Sequence, residues 1–281
     1  MLNLEKLLKA AYELEPLSST TTRLAQMVAE PNTPLKDIIT LINYDQALTV
    51  KVLRSANSVF SAPRTPITTV QIAAVRIGTG QILALAMASN VRNYAQVACP
   101  EYGLSEGQLW RHAVMTAVAA ESLAPFCDAP IPPEAFTTAL LHDIGKLVLA
   151  RFLEDKLAQH LNEEGEIRGT LGMEAERRIL GVHHGEVGGM LARKWQLPKS
   201  IANGIVHHHT PSKGNSTVCD AVHLAEIVAD TVELGKDASE GIPEALLPDS
   251  ITRLGFRIEG FSRLCERVDK RFDELMTIYD S

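Results

Sequence analysis

Cysteine is scarce in this 281-residue sequence, and its spacing excludes two common kinds of site. No two cysteines form a CxxC pair, which excludes a zinc ribbon and gives no sign of a disulfide framework. We therefore expect four reduced thiols, the usual state of cysteine in the cytosol. They are Cys99, Cys127, Cys219 and Cys265.

Aromatic residues are also few, at 5% of the chain, and no stretch alternates apolar and polar residues as a half-buried strand does. Alanine, leucine and isoleucine abound instead, within a hydrophobic fraction of 46%. This composition favours helices packed on helices over a β-sandwich. A charged fraction of 22% is typical of a soluble globular protein. The sequence therefore predicts an all-α fold.

Long runs of one character are missing as well. We expect no apolar stretch of the roughly 20 residues that span a bilayer, and the first residues lack the apolar core of a signal peptide. The net charge is −7, and no long basic run is present to neutralise phosphates. These absences predict a cytoplasmic protein with no membrane contact and no direct nucleic-acid binding.

Helical periodicity divides the chain into three predicted parts. Residues 1–103 form an N-terminal subdomain of short amphipathic helices, one of which begins at Ser18. Residues 104–235 form a histidine-rich helical subdomain. Residues 236–281 form a loop and then an amphipathic helix that closes the fold, because its apolar residues recur at intervals of three and four.

Histidine is the residue whose distribution points to function. All nine histidines follow residue 110, and one of them stands beside an aspartate directly after a buried apolar run, at His142-Asp143. Burying that carboxylate alone would be costly, whereas a divalent cation would satisfy both the carboxylate and the imidazole. Gly145 would allow the close approach of another backbone, and the Lys146 cation could face an anionic substrate.

Further histidines could contribute to the same site. His112 lies on a helix predicted from a Ser105 cap to Leu123, and the chain after it is long enough for a second helix to return antiparallel. The alternative is a histidine packed near Trp110. In the triplet 207–209, successive side chains point about 100° apart, so at most two can reach one metal pair while the third lies at the surface.

An ordered series of motifs runs along most of the chain. The first half contains LEPLSSTTTRLAQMVAEP, LINYDQALTVKVLRSANSVF and ITTVQIAAVRIG. The second half contains LWRHAVMTA, ALLHDIGKLVL, the stretch from Glu176 to Pro198, and IVHHHTP. Over roughly residues 14–235 this series resembles the HDOD family, a branch of the HD phosphohydrolase superfamily. The resemblance implies a helical HD-domain architecture and a place in bacterial signal transduction.

The resemblance also implies a metal site whose residues can be assigned by position. His112 matches the first ligand of the superfamily, and His142 with Asp143 matches its signature pair. The last ligand of HD enzymes is an aspartate. The matching segment here, VHLAEIVAD, places Glu226 at that point, with Asp230 one helical turn later as the less favoured substitute.

The related HD-GYP branch implies a second metal ion, which His184, His208 and His209 would hold here with Asp143 as the bridge. One or two divalent ions of Fe, Mn, Mg or Zn are therefore expected. Asp143 and Lys146 are the expected catalytic residues. The GYP part of that signature is absent after His209, where TPSKGNS stands, which disfavours hydrolysis of cyclic di-GMP.

Three functions are compatible with these features. The first is a metal-dependent phosphohydrolase that acts on a nucleotide or another phosphoester. The second is a non-catalytic regulatory module that binds a signalling protein partner and keeps a structural or vestigial metal site. The helical first half favours this second function, because HD hydrolases do not require it. The third is a plain helical scaffold whose core histidines are satisfied by hydrogen bonds.

Overall fold

The predicted all-α fold is confirmed in a computed structural model of the chain. Within the described residues, the sole pairing of extended backbone is an isolated antiparallel bridge between Cys99 and Leu104. The loop predicted at the start of 236–281 falls largely outside those residues. The structure describes residues 4–14, 16–58, 65–153, 172–235, 243 and 246–279.

Short helices joined by turns account for most of the described chain, and a few longer helices form the centre. The described residues include three 3₁₀ turns between these helices, and the one at Pro100–Tyr102 bears on the site below. In chain order the helices are α1 Leu4–Glu13, α2 Ser19–Ala29, α3 Leu35–Asn43, α4 Gln46–Ala56, α5 Val70–Ala95, α6 Gln108–Ser122, α7 Glu134–Leu141, α8 146–153, α9 Met173–Leu180, α10 His184–Lys194, α11 Lys199–His207, α12 Pro211–Gly214, α13 Thr217–Glu233, α14 Pro248–Leu254 and α15 Phe261–Tyr279.

Polar side chains cap helices in the N-terminal half. The Ser18 hydroxyl accepts a hydrogen bond from the Thr21 amide at the start of α2, which confirms the predicted helix start. The Asp45 carboxylate accepts one from the Leu48 amide at the start of α4. Such caps satisfy backbone donors that have no partner within the first helical turn. They fix where each short helix begins.

Helix α6 begins at Gln108, so the predicted cap at Ser105 is wrong. Gly107 takes a left-handed φ of 78°, which interrupts the helical path just before Gln108. The Gln108 side chain reaches back and accepts the Ser105 amide at 2.6 Å. A serine in a turn and a serine at a helix cap give the same sequence signal, which explains the error.

Helix α5 corrects the expectation that no apolar stretch could span a bilayer. Over Val70–Arg92 it is long and apolar enough to do so, by length and composition alone. In the folded chain 56% of its most apolar window is buried, as in the core helix of a globular protein. Gly78 interrupts this helix with a non-helical conformation, at φ 79° and ψ 162°, so two helical segments meet there at a kink.

One continuous cluster of buried apolar side chains forms the core, from Leu7 near one end of the chain to Phe272 near the other. Helix α6 packs against α7, α13 and α15, and α7 also packs against α5 and α11. The N-terminal helices therefore share a core with the histidine-rich half through α5 and α7. The division of the chain at 103 and 235 stays a prediction.

The closing helix and the cysteines agree with the sequence. Helix α15 buries residues at intervals of three and four against α6 and α13. All four cysteines are free and buried. Burial raises the pKa of both Cys127 and Cys265 to about 11, so these thiols stay protonated and unreactive at neutral pH.

The backbone conformation of Gly78 predicts that substitution of this glycine lowers the stability of the fold. A Cβ there would meet no atom within 4 Å, but its φ of +79° lies in a region that other residues avoid. Gly78→Ala should lower the free energy of unfolding by about 1–3 kcal/mol in a denaturant titration. Thr79→Ala, on the next residue, should change it by less than about 0.5 kcal/mol. Equal effects of the two substitutions would contradict this assignment.

Candidate metal centre

The ends of three helices meet at one point inside the second half of the chain. Helix α7 ends at Leu141, so His142 follows at its C-cap, and α10 begins at His184. Helix α11 ends at His207, which places 208–209 in the turn after it. Helices α6 and α13 cross this point and add His112 and Glu226. Residues that follow the end of a helix are not held to the helical spacing of side chains. Adjacent histidines in the turn after α11 can therefore direct their rings toward the same point.

The first group is the His184 cluster, formed by His184, His208 and His209. The Nε2 atom of His184 lies 3.0 Å from Nε2 of His208 and 3.1 Å from Nε2 of His209. His184 and His208 are fully buried, whereas the His209 side chain is 30% exposed. Three imidazole nitrogens therefore converge on one small volume with one side toward solvent.

Hydrogen bonds fix which nitrogen of each buried ring faces that volume. Nδ1 of His184 lies 2.8 Å from a carboxylate oxygen of Glu176, and Nδ1 of His208 lies 2.7 Å from the carbonyl oxygen of Ile205. Both acceptors lack hydrogens, so each Nδ1 is the donor and each neutral ring turns an Nε2 lone pair inward. Two lone pairs 3.0 Å apart repel each other, and a shared cation removes that repulsion.

The second group is the His112 cluster, formed by His112, His142 and Glu226. One ligand atom from each lies within 4.8 Å of the others. Nδ1 of His142 donates to the Ala139 carbonyl at 2.6 Å, while its Nε2 is buried with no hydrogen-bond partner. Such an orphaned nitrogen is costly in a core unless something binds it.

Asp143 lies between the two clusters. Its Oδ1 is 3.3 Å from Nε2 of His184, and its Oδ2 is 3.5 Å from Nε2 of His142 and 4.0 Å from Nε2 of His112. Oδ1 is buried and accepts no hydrogen bond. Oδ2 lies 2.5 Å from Nζ of Lys146. One carboxylate thus presents one oxygen to each cluster.

The surroundings of these groups set their protonation. Burial lowers the pKa of His208 well below its usual value, and it also lowers the pKa of His209. Burial alone would raise the pKa of Asp143, but Lys146 and His142 outweigh it and hold that pKa well below its usual value. Neutral imidazoles and an ionised carboxylate are the forms that bind a divalent cation.

The pKa of His112 is raised, whereas the pKa values of His208 and His209 are lowered. Burial lowers its pKa, but the hydrogen bond with Glu233 and the charge of Asp143 outweigh burial and raise the pKa to about 9. Its Nδ1 lies 2.8 Å from Glu233 and 3.9 Å from Asp230, whose side chain is 55% exposed. A cation must therefore displace a proton before it can bind His112.

All seven residues predicted as metal ligands lie in these two clusters or between them, and Lys146 adjoins Asp143. Their role as ligands stays a prediction. The donor set fits one or two divalent ions, because orphaned buried atoms of His142 and Asp143 face it. Asp230, the substitute for Glu226, lies at the exposed rim beside His112.

Among the described residues, three other histidines lie outside the centre. His183 caps α10, where its Nδ1 accepts the Gly185 amide. His207, the member of the triplet expected at the surface, is half-buried beside Thr210. His223 is buried and donates to the carbonyl oxygen of His208. Each therefore has a local structural contact.

The sequence reasoning missed the roles of three residues around the ligands: Glu176, Glu233 and Tyr102. Glu176 begins one of the motifs quoted above, but nothing in the sequence connects it to His184. The available signal was an acidic residue on an apolar helix face, since Glu176 shares α9 with the buried Ile179 and Leu180. Tyr102 and Glu233 contact the centre across long stretches of chain, so no local pattern marks them.

Comparisons with known proteins agree with this architecture. The family model of the HDOD domain matches residues 14–211. A candidate phosphohydrolase from Shewanella amazonensis SB2B is 22% identical, with a TM-score of 0.67 and 97% of each chain covered. A candidate signal transduction protein from Marinobacter aquaeolei VT8 is 21% identical, with a TM-score of 0.70, and the match covers 98% of this chain and 64% of the other. These structures show a shared fold.

A curated relative is longer than the part of it that this chain matches. An uncharacterized protein of Treponema pallidum (strain Nichols) is 24% identical over 238 residues, or 84% of this chain. This match spans only 45% of the length of the Treponema protein. The activities and partners of that longer protein therefore do not transfer directly to this chain.

Gly145 generates a prediction, because α8 and α10 meet backbone to backbone there. A Cβ on Gly145 would overlap the carbonyl oxygen of His184 and lie 2.8 Å from the amide nitrogen of Gly188. Gly145→Ala should cost about 1–3 kcal/mol or more in a denaturant titration and should also lower metal uptake, because His184 must move. Gly80→Ala is the milder control, since the nearest atom to a Cβ there is the Pro133 carbonyl oxygen, at 3.0 Å. Full metal uptake by Gly145→Ala would contradict the prediction.

Proposed function

The chain belongs to the HDOD domain family, and from this membership we propose that its histidine centre binds divalent metal ions and hydrolyses phosphoesters. The observation that carries the proposal is the position of Asp143, with one oxygen directed at each of two clusters. Paired metal sites that share a ligand are typical of phosphoester hydrolases. The Shewanella protein of the same fold bears the description of a candidate phosphohydrolase.

The donor set favours some ions over others. Five imidazoles with two carboxylates suit Fe, Mn or Zn, and Mg is the fourth candidate because it prefers oxygen ligands. When bound, such a cation lowers the pKa of a water molecule and neutralises charge on a phosphoryl oxygen. We therefore propose one or two ions, held by the His184 cluster and the His112 cluster.

The protein side chains would orient the substrate and balance its charge. Lys146 is 15% exposed and lies beside Asp143, so its ammonium group can meet a phosphate that enters from solvent. The Tyr102 ring lies 5.7 Å from Nζ of Lys146 and limits where that group can move. A nucleotide or another phosphoester is the substrate class that this combination fits.

A regulatory module that binds a signalling partner is the second candidate function. It is favoured by the Marinobacter protein of the same fold, which bears the description of a candidate signal transduction protein. It is also favoured by the N-terminal region 1–103, proposed here as a regulatory subdomain, which packs on the metal-site half through α5 and α7. Under either function we place the protein in the bacterial cytoplasm, without direct nucleic-acid binding.

Two neighbouring histidines offer a matched test of metal binding. His208→Ala removes a ring of the His184 cluster, whereas His207→Ala removes a ring whose one hydrogen-bond partner among the described residues is Thr210. Elemental analysis of protein purified without a histidine tag should find one equivalent fewer of Fe, Mn or Zn in His208→Ala. His207→Ala should match the wild type. Less than about one equivalent in the wild type itself would refute a metal centre and support a plain scaffold.

Lys146 provides the test of catalysis. We expect metal-loaded wild type to hydrolyse bis(p-nitrophenyl) phosphate or a member of a nucleotide panel. Lys146→Met should retain the metal, while its kcat falls by about 10²–10³-fold because one charge that stabilises the transition state is lost. A metal-replete wild type that hydrolyses none of these compounds with Mn, Fe or Mg would sink the hydrolase proposal and leave the regulatory module.

A further inference from the structure

The rings of the centre obtain their Nδ1 acceptors from two different sources. His142 and His208 use backbone carbonyl oxygens of their own helices. His184 and His112 instead use carboxylates from other helices, at 2.8 Å in each case. Each cluster therefore contains one ring that is held by a negatively charged side chain.

Glu176 is buried directly behind the His184 ring. Its side chain is 0% exposed, and an isolated buried carboxylate is costly. It receives the His184 amide at 2.7 Å, Nδ1 of His184 at 2.8 Å and the Tyr102 hydroxyl at 2.8 Å. Three donors on one carboxylate provide the hydrogen bonds that a buried, ionised carboxylate requires. The carboxylate therefore stays ionised behind the ring.

Tyr102 anchors this carboxylate from a distant part of the chain. It lies on the 3₁₀ turn Pro100–Tyr102, which is closed by the Cys99–Leu104 bridge. Its ring is 1% exposed, and its hydroxyl donates to Glu176. Burial and the Glu176 charge raise the pKa of Tyr102, so the hydroxyl keeps its hydrogen and remains a donor.

Glu233 occupies the equivalent place behind His112, but it is more exposed to solvent than Glu176. It lies at the C-terminal end of α13, two turns after Glu226, and its side chain is 30% exposed. Its Oε2 is 2.8 Å from Nδ1 of His112. Solvent screens an exposed carboxylate more than a buried one, so its influence on the ring is weaker.

We propose that Glu176 and Glu233 are positioning residues, each serving one metal ion: Glu176 through His184 and Glu233 through His112. Each carboxylate fixes the hydrogen on Nδ1, keeps Nε2 directed at the cation and raises the basicity of that nitrogen. The inference rests on the proposed metal centre and deepens it, because it assigns a separate support to each ion. Tyr102 secures the first of these supports.

Mn²⁺ titration by calorimetry tests the assignment on the full chain after treatment with chelator. Wild type should bind two ions. Glu176→Gln keeps the shape of the side chain but removes its charge, and it should weaken one of the two ions by about 10–100-fold. Glu233→Gln should weaken the other by about 10-fold or less, because its carboxylate is partly exposed.

The His208→Ala background identifies which ion each variant affects. With the His184 cluster already broken, Glu176→Gln should cause no further loss, whereas Glu233→Gln should still weaken the remaining ion. Glu186→Gln is the matched control, since Glu186 lies 3.7 Å from His183, a histidine outside the centre. That control should bind two ions with wild-type affinity.

A purely structural role for Glu176 has a different signature. Long-range ¹H–¹⁵N correlation of the chelated protein reports which nitrogen of His184 carries hydrogen. We expect Nδ1 in wild type and a mixture in Glu176→Gln. A structural role would instead lower the melting temperature in chelator, leave the His184 tautomer unchanged and weaken both ions alike. That pattern would overturn the inference.

Tyr102→Phe is a second variant that tests the same support if Glu176→Gln does not fold. It leaves the carboxylate in place with two donors, so it should weaken the His184 ion by less than about 10-fold and spare the other ion. No change in either ion would overturn the role of this support. Wild type that binds no Mn²⁺ would refute the metal centre itself. Two ions in wild type with unchanged affinity in Glu176→Gln would refute only the positioning role.

Discussion

The rest of the centre depends on how imidazole hydrogens are accommodated inside a helical core. A neutral ring has one donor and one acceptor nitrogen, so fixing the donor also fixes the direction of the free lone pair. In His142, His208 and His184 the Nδ1 donor is directed outward, toward a backbone carbonyl or a carboxylate. The lone pairs are consequently left facing inward around Asp143. Affinity for a cation follows from these outward contacts as much as from the inward-facing atoms.

Much of this arrangement was accessible from the sequence, because its signals are local. The periodicity of apolar residues predicts helices such as α2 and α15, and the His142-Asp143 pair stands out after a buried run. The residues that were missed act over long distances. Tyr102 meets Glu176 across 74 positions, and Glu233 meets His112 across 121, so no window of sequence contains both partners. The error at Ser105 has the opposite origin, since one local pattern fits two conformations.

The fold determines how the proposed ligands come together and how the N-terminal helices are connected to them. Helix ends deliver His142 and His184 from opposite directions, and Gly145 lets the two segments approach with no side chain between them. The N-terminal helices reach this region by two routes, through α5 packed on α7 and through the turn that carries Tyr102. A change in the packing of that half therefore has a physical path to the proposed metal ligands. This connection would make the two proposed functions, catalysis and regulation, compatible within one chain.

Helix α5 has a consequence for the order in which the chain can fold. Its partners α2, α3 and α4 precede it, but α7 is synthesised only after α6 has been completed. During translation, the face of α5 that later packs on α7 has no intramolecular cover, and exposed apolar surface of this kind promotes aggregation. We therefore expect a nascent chain that has completed α5 but not α7 to expose part of this long apolar helix. When α7 folds against α5, it covers that apolar surface and in the same step brings His142 into place.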